Sequence, residues 1–156
     1  MQNTKVSIAP DAKAEIIEAL SQSLSETAVE TTKAQNFHWN VKGMAFGQLH
    51  ELFQTIYEDH FAGQDLLAER IKALEGHADG RMAEFLKRSA IVESDSHIGD
   101  TQMIETLMRD QETLSTTLRA AAMLAEEHGD VVTNDLAIAR ATVHDKFAWM
   151  LRAHLE

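Results

Sequence analysis

A chain of 156 residues, 44% of them hydrophobic and none of them cysteine, can bury one ordinary core without disulfides or a structural metal. The missing cysteine excludes thiolate zinc sites and thiol catalysis, and the net charge of −11, from 25 acidic against 14 basic residues, works against a phosphate-backbone partner, whose binding rests on Lys and Arg displacing counterions. No stretch approaches the roughly 20 apolar residues of a membrane span, and the opening MQNTKVSIAP lacks the basic start and apolar run of a signal peptide, so a cytoplasmic protein with no membrane partner is expected.

Glycines and the single proline punctuate the rest. After a short tail over 1–10, the spacing of Ile17, Leu20, Leu24 and Ala28 predicts a helix over 11–39. A turn holding Gly43 and Gly47 leads to a second helix over 47–75, with Leu49, Leu52, Phe53, Ile56, Leu67, Ile71 and Leu74 on one face and Gly63 unexpectedly inside it. The connection over 76–99 is too long for a hairpin and contains a short helix candidate, MAEFLKRSA. A third helix over 100–128 carries Ile104, Leu107, Gln111, Leu114, Leu118 and Ala121. A fourth over 131–153 carries Leu136, Ala139, Val143, Phe147 and Met150. Asp11, Asp100 and Thr133 are the expected N-caps. With no alternating strand pattern and no repeat, the expected fold is a single all-α domain over 1–156. It is a four-helix bundle whose long crossover between helices two and three bears a short helix, the ferritin-like arrangement.

Two histidines stand evenly about the first turn: His38 and His50 are each six residues from Met44. In an antiparallel hairpin such residues face one another, and two neutral imidazoles can ligate one metal ion. The competing reading is a pair that packs or hydrogen-bonds at a helix junction. Further along helix two, Asp65 and Glu69 are four apart and share a face able to hold a hard cation; they could equally pair with Arg70 or Lys72 on a solvated surface. His50 and Asp65 are fifteen residues apart, so a rise of about 1.5 Å per residue separates them by roughly 22 Å. If all four belong to one site, a second subunit must supply half of it. A di-iron centre inside the bundle would need Glu-x-x-His pairs, and no histidine has a glutamate three residues before it.

The stretch HWNVKGMAFGQLHELF, followed fifteen residues after His50 by DLLAERI, resembles the Dps mini-ferritins, the starvation-induced bacterial iron-storage proteins. The later segment GDVVTNDLAIARATVHDKFAWMLRAHL is similar to that family's last helix, so the resemblance covers nearly the whole chain. It implies a homo-dodecameric shell of tetrahedral symmetry with ferroxidase sites at its two-fold interfaces. His38 and His50 would come from one subunit and Asp65 and Glu69 from its partner. The family usually places a further carboxylate one turn after the second histidine, where this chain has Gln54; a neutral amide would weaken the second of two iron positions. Trp39 would be the aromatic beside the site. The implied reaction is oxidation of Fe(II) to Fe(III), preferably by hydrogen peroxide, with storage of the ferric mineral and protection against oxidative stress.

In the same family the junction between the last two helices lines acidic pores, which assigns Glu126, Asp130 and Asp135 to iron entry; the simpler local reading makes Asp130 a turn residue and Asp135 a first-turn acid. The alternatives are a DNA-binding nucleoid protein and a helical interaction protein without chemistry. The first needs a basic tail, yet residues 1–10 contain only Lys5 and the end LRAHLE only one Arg, so DNA binding is not expected.

Overall fold

The computed structural model describes residues 6–156, so the part of the tail that holds Lys5 lies outside the described residues. Five helices follow in order: α1 over Pro10–Asn40, α2 over Phe46–Ala73, α3 over Met82–Arg88, α4 over Asp100–Glu127 and α5 over Val131–Arg152. The described residues contain no strand. The all-α ferritin-like bundle with a short helix in its crossover is what forms, and each long helix lies within two residues of its expected bounds. None of the described helices is long and apolar enough to cross a membrane.

The caps differ from expectation. Ala9 caps α1, with Pro10 in the first turn, where its missing N–H costs nothing. Gly99 caps α4 and Asp100 becomes its first residue, accepting from the Thr101 N–H at 2.8 Å. Asp130, not Thr133, caps α5; Thr133 sits three residues on and supplies the N–H that Asp130 receives.

Two hairpins, α1 with α2 and α4 with α5, make up the bundle. They meet mainly where α1 packs on α4, while α2 touches α5 only lightly. The first hairpin turns tightly because Val41 leaves the helix in an extended conformation and Gly43 takes φ +118°, a region that favours glycine. The Asp100 carboxylate also approaches within 2.7 Å of where a Cβ on Gly43 would stand. No side chain at position 43 would fit there without moving that carboxylate.

The core has two apolar clusters. One gathers Ile16, Leu20, Leu24, Leu67, Ile71, Leu114, Leu118 and Ala137; the other Phe37, Leu49, Phe53, Ile56, Met103, Leu107, Phe147 and Leu151. On every long helix the residues between these sets include buried polar side chains: Glu30 and Lys33, His60, Gln111, Arg140 and His144. A polar band therefore divides the core across its middle.

Candidate metal centre

His38 lies in the last turn of α1 and His50 in the first turns of α2. The tight connection brings their rings into a stack, 3.7 Å between centroids and 17° between planes. Each ring also reaches across the hairpin: His38 Nδ1 lies 2.6 Å from the His50 carbonyl oxygen and His50 Nδ1 lies 2.7 Å from the His38 carbonyl oxygen. A carbonyl only accepts, so each Nδ1 carries the proton and donates it. In its neutral form each imidazole then keeps the Nε2 lone pair for another partner, the tautomer that ligation through Nε2 requires. Such outer hydrogen bonds orient metal-binding histidines and raise their basicity. The hydrogen-bonded junction is therefore formed, and it is compatible with ligation through Nε2.

Aromatic neighbours hold the pair further. Tyr57 meets His38 edge-on at 5.2 Å and Phe46 stacks on His50 at 5.2 Å. Burial follows the order of the hairpin: His38 is buried and His50 half-buried. Trp39 is 65% exposed, too open for a core packing residue. The Gln54 amide donates to Glu58 Oε1 at 2.8 Å, so this side chain is oriented by its neighbour one turn along.

Asp65 and Glu69 are both exposed on α2. The helix is unbroken from Phe46 to Ala73, so the separation of roughly 22 Å from His50 stands. The chain brings His38 and His50 together and leaves the two carboxylates apart from them. Among the described residues no group of three His, Asp or Glu could hold a metal ion. Asp65 instead borders a groove of about 730 Å³ lined by Phe61, Leu66, Met82 and Phe85, of which Phe61 and Met82 are 72% and 67% exposed.

The three pore candidates have different settings. Glu126 and Asp135 are exposed. Asp130, assigned from the sequence to iron entry or to the turn, is buried within the chain and serves the turn. It caps α5 through the Thr133 N–H at 3.0 Å and accepts from Arg70 Nη2 at 2.8 Å. The Thr133 hydroxyl also donates to it, and Arg70 Nε donates to that hydroxyl at 2.8 Å. The D-x-x-T spacing at the start of α5 is a capping signal; the Arg70 partner, sixty residues earlier, has no local signal. The polar band was also missed. Its one trace in the sequence is Gln111, an amide in a run of apolar positions from Ile104 to Ala121.

The fold has known counterparts. The family model for a ferritin-like domain matches residues 17–156. A protein of Bacillus anthracis named DNA protection during starvation protein 2 is 38% identical over 143 residues, spanning 90% of this chain and 97% of its own. The crystal structure of Dps from Staphylococcus aureus superposes with a TM-score of 0.89 at 35% identity, over 92% of this chain and 96% of that one. A Dps structure from Vibrio cholerae, described as a member of a broad superfamily of ferritin-like diiron-carboxylate proteins, superposes at 0.92 with 27% identity, over 100% and 99%. On its helical order, its crossover helix and these similarities, the chain belongs to the Dps family of ferritin-like proteins.

Proposed function

We propose that this protein oxidises Fe(II) at sites shared between two subunits and stores the ferric product inside a dodecameric shell. The observation that carries the reading is the reciprocal clamp between His38 and His50, which commits both Nδ1 protons to carbonyls and leaves the Nε2 atom of each stacked ring free of them. Imidazole and carboxylate suit Fe(II), which is the substrate here. Asp65 and Glu69 of a second subunit complete the site, and the half-empty site on each chain is the reason to expect assembly. Apolar side chains around Asp65, and Trp39 beside His38, give a two-fold partner surface to cover.

Hydrogen peroxide is the oxidant we assign. Two Fe(II), one peroxide and two protons give two Fe(III) and two waters, so paired electrons avoid releasing hydroxyl radical. The chain's own contribution is to hold both imidazoles in one tautomer and to supply carboxylate charge for the product Fe(III). Gln54 in place of a carboxylate weakens the second iron position. Protection then comes from removing iron and peroxide together in the cytoplasm, rather than from coating DNA, even though the B. anthracis relative is named for DNA protection.

Anaerobic Fe(II) titration followed by a peroxide chase tests the assignment. His50→Ala and Asp65→Asn should each slow oxidation by about 10-fold to 100-fold, the cost of disturbing a metal's immediate surroundings, with the shell intact. Wild-type kinetics in both variants would remove these residues from the site.

A further inference from the structure

The polar band crossing the core has no part in the proposed iron site, yet it joins all four long helices through one amide. Gln111 on α4, fully buried, donates from Nε2 to Glu30 Oε1 on α1 at 3.0 Å. The same nitrogen lies 3.0 Å from His60 Nε2 on α2, and Gln111 Oε1 lies 2.7 Å from His144 Nδ1 on α5. Beyond His60, Asp59 Oδ2 stands 3.0 Å from Nδ1. Asp59 also accepts from Arg140 of α5 at 3.2 and 2.8 Å.

These contacts admit one neutral proton arrangement. The Asp59 carboxylate only accepts, so His60 carries its proton on Nδ1 and its Nε2 receives the Gln111 N–H. Gln111 Oε1 then receives the His144 Nδ1–H, which leaves His144 Nε2 as a bare lone pair, buried and without a partner. A proton added to His60 finds an acceptor, because Gln111 Oε1 also lies 3.1 Å from that nitrogen. A proton added to His144 meets no protein acceptor, and it would sit beside the His60 ring at 4.7 Å and on the same helix as the Arg140 guanidinium.

We propose that this band is an acid-sensitive latch: it ties α5 to the other three helices while both imidazoles are neutral, and it lets α5 open from the bundle when the solution turns acidic. The contact between α2 and α5 is light, so the Asp59–Arg140 pair is the main polar tie between those two helices at mid-helix. Towards α4 the Gln111–His144 bond is joined by Asp145, which accepts from Ser115 at 2.5 Å and from Arg119 at 2.6 Å. The ionisable groups of the band are Glu26, Glu30 and Lys33 from α1, Asp59 and His60 from α2, Asp110 from α4, and Arg140 and His144 of α5 itself. Lys33 is paired with Asp110 at 2.6 Å.

The proton balance sets the direction. Burial, then the charges of His60 and Arg140, holds His144 well below the usual imidazole value of 6.5. Burial lowers His60 as well, against the pull of Asp59. An opened chain therefore binds these two protons first, and the latch weakens as pH falls below 6.5. Glu30 works the other way. Burial, followed by the Asp110 charge, raises its carboxyl well above 4.5, so the closed band holds one proton that the opened chain releases. Two imidazole protons against one carboxyl proton leave at most one net proton taken up on opening, reached once the opened imidazoles are fully charged below pH 6.5. One net proton changes the opening constant about tenfold per pH unit.

Hydrogen–deuterium exchange on the assembled protein, corrected for intrinsic rates and read on peptides covering 137–148, tests this between pH 6.5 and 5.0. Wild type should show an opening constant that rises as the pH falls, steepening towards about tenfold per pH unit at the acid end. Glu30→Gln, which removes the opposing carboxyl, should steepen the slope by up to about tenfold more per pH unit, and His144→Asn, which keeps a donor near the Nδ1 position, should flatten it. Exchange at the imidazole C2–H of wild type reports the His144 titration even if the Asn variant fails to fold. A pH-independent opening in wild type, equal slopes in wild type and Glu30→Gln, or an ordinary titration of His144 near pH 6.5 would each overturn the latch.

Discussion

At the scale of single residues, the glycine inside α2 has a steric cause. A Cβ on Gly63 would stand 2.7 Å from Arg140 Nη2 and 2.8 Å from its Cζ. Arg140 cannot swing clear without losing Asp59, and it is only 5% exposed. Alanine normally stabilises a helix interior by about 1 kcal/mol over glycine; Gly63→Ala is expected to reverse that sign and cost roughly 1–3 kcal/mol through overpacking. Thermal or denaturant unfolding of the variant checks the direction, and a gain in stability would mean that Arg140 relaxes freely. Gln54 presents the other residue-scale test. Gln54→Asp restores a carboxylate one turn from His50, so anaerobic titration should show the weaker iron position tightening; unchanged binding would leave position 54 outside the site.

At the scale of elements, the start of α5 depends on one carboxylate with two duties. Asp130 satisfies an otherwise unpaired N–H of the first turn and also neutralises Arg70, whose side chain is 11% exposed. Losing a cap costs about 1 kcal/mol, and stranding a buried partner costs about 3–5 kcal/mol. Asp130→Ala should therefore destabilise the fold by roughly 3 kcal/mol or more, since Arg70 retains some solvent. Asp130→Asn keeps the cap and loses the charge, so its unfolding midpoint should fall between wild type and the alanine variant. Identical losses in the two variants would show that the ion pair, and not the cap, carries the effect. Exposed Asp135 has no comparable duty, which makes it the better probe of iron entry.

At the scale of the whole molecule, charge and assembly decide the outcome. Twelve copies at −11 each would make a shell with a formal net charge of −132, twelve times −11. We expect light scattering to give a dodecamer and gel-shift assays at moderate salt to show no retarded plasmid, except where a divalent ion bridges the two acidic surfaces. A stable monomer at neutral pH would remove the shared site along with the shell. Neutralising Glu126 and Asp135 together should slow iron entry at low salt, with the difference shrinking as salt screens the field, while affinity at the oxidation site stays unchanged. Uptake as fast as wild type would place the entry elsewhere.

Much of this protein follows from periods and symmetry along the chain. The helical class, the four long helices and the crossover helix were legible because a helix buries one face, and that face repeats every three to four residues. The meeting of His38 with His50 was legible because a hairpin pairs positions equidistant from its turn. Only the folded chain decided the rest. Gly63, Gln111, His144 and Arg70 owe their roles to side chains between 33 and 81 positions away, and no local period encodes such distant meetings. At the start of α5 both levels meet: the cap from Asp130 to the Thr133 N–H is local, while the Arg70 partner that is buried with it comes from α2. Local spacing sets which face of a helix turns inward, and long-range packing selects which polar groups are buried with it.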